Sequence, residues 1–182
     1  MTTANKLTLL RMALIPVFLG VLYAGFPGSR YVALGVFIAA SLTDMLDGYI
    51  ARHYNQITDF GKFMDPLADK VLVMAAMCYF VEVGRMPGWV LATVLFREFA
   101  VSGMRLVAVE RGRVIAAGWS GKVKTAATMV CLCLMLLISA PGAGDSAPDF
   151  IAIISNVVIS ATTLYSGAEY FIKNRDVFKN TK

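Results

Sequence analysis

"TDMLDGYIARHYNQITDFGKFMDPLADK", residues 43–70, is an acid-rich interruption in a chain that is otherwise strongly apolar. Its five aspartates are Asp44, Asp47, Asp59, Asp65 and Asp69. With residues 41–52 helical, Asp44, Asp47, Gly48, Ala51 and Arg52 fall at i, i+3, i+4, i+7 and i+8 and share one face. With residues 61–70 helical, Gly61, Asp65 and Asp69 fall at i, i+4 and i+8 and share another. The loop between is short, so the two helices are expected to be antiparallel neighbours whose acidic faces can meet. Asp59 is out of phase and reads as a loop or capping charge. Asp65-Pro66 also fits an N-cap followed by a first-turn proline, a role compatible with the shared face.

Around this stretch the composition is that of a membrane protein. Of 182 residues, 58% are hydrophobic and 16% charged, where a soluble domain carries about a quarter charged residues. Spanning a bilayer takes about 20 apolar residues. Six stretches come close to that, over 7–25, 31–52, 66–84, 88–110, 122–140 and 149–172. Between them lie "GFPGSR", "NQITDFGK", "GRMPG", "ERGRVIAAGWSGK" and "PGAGDSAPD", all rich in turn formers. The runs are continuous rather than alternating, which predicts helices and not barrel strands. The expected fold is therefore all-α, a single integral-membrane domain over 1–182 with six transmembrane helices and an active-site cavity open to the cytoplasm. Lys6 and Arg11 ahead of "MALIPVFLGVLYAG" give the start the shape of a secretory signal. The rest of the chain is equally apolar, so this segment reads as the first span.

Basic residues orient the bundle. Lys6 and Arg11 flank the first span, and Arg52 and Lys62 lie in the second loop. Arg105, Arg111, Arg113, Lys122 and Lys124 cluster around the fourth, and Lys173, Arg175, Lys179 and Lys182 fill the tail. The alternate loops hold only Arg30 and Arg85. This bias places both termini and the even loops, and with them the aspartates, on the cytoplasmic side. The net charge of +5 is thus accounted for by topology and acidic lipid, with no nucleic-acid partner. Cys78, Cys131 and Cys133 sit in apolar runs and read as small buried hydrophobes, without metal spacing or a disulfide framework. A single histidine, His53, leaves little scope for imidazole chemistry.

Four carboxylates converging in a nearly apolar bundle repel one another unless they are neutralised. Solvated charges or structural ion pairs would account for one aspartate near a helix end. Four in phase with two glycines and an arginine point instead to divalent cations. All-oxygen ligation favours Mg²⁺ or Mn²⁺, and two ions about 3.5–4 Å apart would suit phosphoryl chemistry. Gly48 and Gly61 leave room for a ligand to approach the backbone, and Arg52 adds a cation suited to a phosphate oxygen.

Written as Asp44-x₂-Asp47-Gly48-x₂-Ala51-Arg52-x₈-Gly61-x₃-Asp65-x₃-Asp69, the stretch resembles the signature of the CDP-alcohol phosphotransferase family, with all eight positions matched. The resemblance implies a six-helix membrane enzyme in which an alcohol attacks the lipid-side phosphorus of a CDP-linked donor and CMP leaves. It implies that Asp44, Asp47 and Asp65 ligate metal, and that Asp69 is both ligand and proton acceptor. Gly48, Arg52 and Thr58 match positions that contact the CDP moiety, with Gly61 open beside them. "NKLTLLR" is similar to the family's Asn-x-x-Thr-x-x-Arg element, which puts Asn5 and Thr8 near the nucleotide with Arg11 close by. The usual proline before that asparagine is Ala4 here.

The acceptor is addressed by the second half of the chain. "FREFAVSGMRL" places Arg97 and Glu98 inside an apolar span, a costly position that usually faces a cavity. Arg97, Arg105, Lys122 and Lys124 together suit an anionic acceptor, a phosphorylated polyol rather than a free alcohol. These segments, with "SGAEYFIKNRDVFK" at 166–179, resemble the bacterial inner-membrane members of the family that join CDP-diacylglycerol and sn-glycerol 3-phosphate as homodimers. Inositol phosphate or phosphatidylglycerol would be the alternative acceptors. A divalent-cation transporter is the rival of another class, although the outer halves of the spans are nearly uncharged, which does not suit a transmembrane path.

Overall fold

The computed structural model describes the backbone of residues 3–53, 59–110, 112–113, 115–116, 118–138 and 150–176, and the side chains of 8–43, 67–68 and those from 70 onward within these ranges. Among the described residues there are six helices and no strand. They are α1 (Thr3–Ala24), α2 (Ser29–His53), α3 (Asp59–Glu82), α4 (Gly88–Glu110), α5 (Trp119–Ile138) and α6 (Phe150–Lys173). The helices follow the six apolar stretches closely, except that α3 begins at Asp59 rather than near 66. Pro66 therefore lies inside α3, and Asp65 is not its N-cap. A proline here removes the amide that would bond the Lys62 carbonyl, a loss the helix tolerates, as α1 does at Pro16.

Among the described residues, α5 and α6 are long and apolar enough to cross a membrane, and α1 and α2 contain the shorter apolar runs Thr8–Ala24 and Ser29–Thr43. In α4 the apolar run is broken by charge. The end of α2 and the start of α3 carry the aspartates, and Arg97, Glu98 and Arg105 interrupt α4.

The chain divides into two compact units, one built on α1, α2 and most of α3, the other on the end of α3, α4, most of α5 and α6. In the first, α1 and α2 form a helical hairpin whose turn uses glycines at positive φ, Gly25 (62°) and Gly28 (89°). The buried positions of α1 are Thr8, Arg11, Ile15, Phe18 and Leu22, one stripe at i, i+3, i+7, i+10 and i+14. Ala33, Phe37 and Ala40 of α2 are fully buried opposite, and the Phe18 and Phe37 rings meet with centroids 5.7 Å apart. On α3 the stripe is Ala68, Leu72, Ala76 and Phe80, and Tyr79 makes an edge contact with Tyr23 of α1 at 5.8 Å.

The second unit has an apolar core that includes Val101, Met104 and Ala108, but many polar side chains are buried beside it while large apolar ones lie outside. On α6 the buried residues include Ser155, Asn156, Ser160, Thr163, Ser166 and Gly167, while Ile153, Ile154, Val157, Leu164, Tyr165 and Ile172 are exposed. On α4, Phe96 and Phe99 are 73% and 69% exposed, and Arg97 and Glu98 beside them are largely covered. Water would penalise this arrangement, whereas a hydrocarbon environment favours it, as expected of a membrane protein. Small residues on α6 also let neighbouring backbones approach. Helix α4 ends in a Schellman motif. Gly112 adopts φ 71°, its amide bonds the Val109 carbonyl at 2.8 Å, and Arg113 N bonds the Ala108 carbonyl at 2.9 Å.

The three cysteines are free thiols, but only Cys131 is buried, and Cys78 is exposed on α3. The expectation of three buried cysteines thus fails at Cys78 and is met only in part at Cys133, which is half-buried.

Candidate functional site

Two groups of residues carry the expected chemistry, one in each unit. In the first unit, Asp44, Asp47, Gly48 and Arg52 belong to the last turns of α2, and Gly61, Asp65 and Asp69 to the first turns of α3. Asn5 is in α1. The side chains of these residues, and Thr58 altogether, lie outside the described residues. Their helical register is nonetheless informative. Ala33, Phe37 and Ala40 are buried on α2, and Asp44 and Asp47 fall at i+11 and i+14 from Ala33 in helical register. Likewise Gly61 and Asp65 fall seven and three residues before the buried Ala68 in the register of α3.

Helix α1 supplies the matching end. Thr8 is 1% exposed and Arg11 is fully buried. Phe18 and Phe37 are level, so stepping two turns (about 10 Å) along each helix of the hairpin brings Arg11 level with Asp44.

In the second unit the side chains are described, and they form a compact ionic cluster. Glu98 Oε1 accepts hydrogen bonds from Arg97 Nη1 at 2.9 Å and from Lys124 Nζ at 2.7 Å. The three side chains are 12%, 13% and 6% exposed for Arg97, Glu98 and Lys124, so water screens the pairs little. From the other side, Arg97 Nη2 donates to Ser166 Oγ of α6 at 2.7 Å. Glycines frame the guanidinium arm. A Cβ at Gly121 would stand 3.4 Å from Arg97 Nη2, and one at Gly167 3.4 Å from Arg97 Cγ. Arg97 Nε is buried without a hydrogen-bond partner.

The four expected cations are not equivalent. Arg97 and Lys124 meet on Glu98. Arg105, two turns further along α4, is held separately by α6, with Nε donating to Tyr170 Oη at 3.2 Å and the guanidinium 5.6 Å from the ring centroid. Lys122 is exposed. Residues two apart on a helix are separated by about 200°, so Lys122 and Lys124 cannot both face Glu98. Ser166 and Tyr170 were not anticipated as partners of the arginines, and only their position within "SGAEY" hinted at them. Among the described residues no three metal-ligating side chains cluster.

Comparison with known proteins identifies the family of the chain. Residues 1–165 match the family model described as CDP-alcohol phosphatidyltransferase, and the chain belongs to that family. It is similar to the CDP-diacylglycerol–glycerol-3-phosphate 3-phosphatidyltransferase of Bacillus subtilis, 41% identical over 189 residues covering 97% of each chain. A probable phosphatidylglycerophosphate synthase of Mycobacterium tuberculosis is 38% identical over 92% of this chain and 78% of its own. The Escherichia coli CDP-diacylglycerol–glycerol-3-phosphate 3-phosphatidyltransferase is 44% identical over 71% and 74% respectively.

Proposed function

We infer that the chain is a phosphatidyltransferase that moves the phosphatidyl group of CDP-diacylglycerol to sn-glycerol 3-phosphate, giving phosphatidylglycerophosphate and CMP. The observation that carries this reading is the near full-length similarity to the Bacillus subtilis protein, whose name specifies donor and acceptor. Two further features support it. All eight signature positions are present within helical segments of suitable register, and a second cluster, of buried cations, suits a phosphorylated acceptor.

The donor set fits a divalent metal. Asp44, Asp47, Asp65 and Asp69 offer only hard carboxylate oxygens, in helical positions three and four apart. Mg²⁺ or Mn²⁺, two ions in our proposal, would when bound polarise the diphosphate and offset charge on the departing CMP. Asn5, Thr8, Gly48, Arg52, Thr58 and Gly61 are assigned to the CDP-lipid. Arg97, Arg105, Lys122 and Lys124 are assigned to the acceptor phosphate, Lys122 from an exposed position. Asp69 takes the proton of the acceptor hydroxyl as its oxygen bonds the lipid-side phosphorus, and the bond from that phosphorus to the CMP oxygen breaks. We further propose one integral-membrane domain of six spans in the bacterial inner membrane, both termini cytoplasmic, working as a homodimer.

Purified protein supplied with CDP-diacylglycerol, Mg²⁺ and sn-glycerol 3-phosphate should release CMP. Release with inositol phosphate or phosphatidylglycerol instead would reassign the acceptor. Metal flux into proteoliposomes without CMP release would favour a transporter.

A further inference from the structure

We propose that Glu98 is a positioning residue for the acceptor's phosphate, its carboxylate clamping Arg97 and Lys124 side by side as a paired anion receptor. The proposal rests on reading this cluster as part of the acceptor site.

The geometry makes the case. A single oxygen, Glu98 Oε1, takes a bond from each cation, at 2.9 Å and 2.7 Å. That shared atom keeps Arg97 Nη1 and Lys124 Nζ close enough for one phosphate group to bridge them. Without it, two like charges on different helices would stand together in a nearly dry setting and repel. With it, the trio keeps one net positive charge, enough to attract a phosphate while easing the burial of two cations. The remaining donors are not exhausted. Lysine has three N–H groups and arginine five, and Arg97 Nε is buried with no hydrogen-bond partner. Ser166 and the gaps at Gly121 and Gly167 complete the mount by fixing the arginine's approach. With Oε1 occupied by both cations, Glu98 is suited to orienting them rather than to accepting a substrate proton.

The test uses the purified full chain in detergent, as wild type, Glu98→Gln and Glu98→Asp. Three quantities are measured: KM for sn-glycerol 3-phosphate, KM for CDP-diacylglycerol, and affinity for inorganic phosphate from thermal stabilisation. We expect Glu98→Gln to raise the acceptor KM and weaken phosphate binding by tenfold or more, with the lipid KM within twofold. Glu98→Asp, which keeps the charge on a shorter arm, should fall between wild type and Glu98→Gln. An unchanged or lowered acceptor KM, or equal rises for both substrates, would overturn the proposal. Should Glu98→Gln not fold, Glu98→Asp decides by the same split between substrates. Should the wild type turn over only with a different acceptor, the functional reading fails. The phosphate affinities of wild type and variants then still decide the role of Glu98.

Discussion

Lys124 of α5 and Glu98 of α4 meet at 2.7 Å, with side chains 6% and 13% exposed, and Arg97 shares the same carboxylate. A buried pair broken on one side costs about 3–5 kcal/mol, because the remaining charge is stranded. Lys124→Ala should therefore lower the thermal unfolding midpoint and also raise the acceptor KM by tenfold or more. The KM for CDP-diacylglycerol should move much less. Steady-state kinetics with each substrate varied in turn check this, and equal effects on both would contradict the division of the site.

The gap beside Arg97 yields a graded test. A Cβ at Gly167 would stand 3.4 Å from Arg97 Cγ, tight but within reach of a small adjustment. Gly167→Ala should keep the acceptor KM within about threefold, because one methyl at that distance needs only a small shift of a flexible side chain. Gly167→Val adds two methyl groups beyond the alanine variant in the same gap and should raise the acceptor KM at least tenfold by displacing the guanidinium from Ser166. Parallel kinetics on the two variants check the order.

Asn156 of α6 is buried and donates from Nδ2 to the Arg85 carbonyl in the α3–α4 turn at 2.9 Å. Asn156→Leu leaves that carbonyl without this donor, at a cost of about 1–3 kcal/mol. The unfolding midpoint in detergent should drop, while KM for either substrate stays within twofold of wild type. A drop in acceptor affinity without a change in the midpoint would show that Asn156 belongs to the site instead.

Asp69→Asn keeps the shape of the side chain and removes its capacity to accept a proton. Turnover should fall by at least about 10²-fold, the usual weight of a positioned base, with binding of CDP-diacylglycerol partly retained. Chelation by EDTA should abolish activity of the wild type, and added Mg²⁺ or Mn²⁺ should restore it. Activity that survives thorough chelation would count against the carboxylate metal site.

Most of the helix layout was readable in the sequence, because turn-rich segments such as "GFPGSR" and "GRMPG" separate apolar runs of membrane length. The start of α3 was not. Pro66 imitates a first-turn proline, yet α3 runs through it back to Asp59 despite a cost of about 3 kcal/mol or more for an interior proline. In the ionic cluster, Arg97 was legible as a costly charge inside an apolar run. Its partner Ser166 lies 69 positions away and Tyr170 lies 65 from Arg105, and no local pattern announces such pairs. The separation of Lys122 from Lys124 follows from helical geometry alone. Basic residues at a membrane boundary nonetheless read first as one charge cluster.

The central claim concerns which alcohol receives the phosphatidyl group, and an acceptor panel tests it most directly. CMP release is measured from purified protein with CDP-diacylglycerol and Mg²⁺, alongside sn-glycerol 3-phosphate, inositol phosphate or phosphatidylglycerol. The account predicts rapid release with sn-glycerol 3-phosphate and little with the others. Release with another acceptor and none with sn-glycerol 3-phosphate would contradict it.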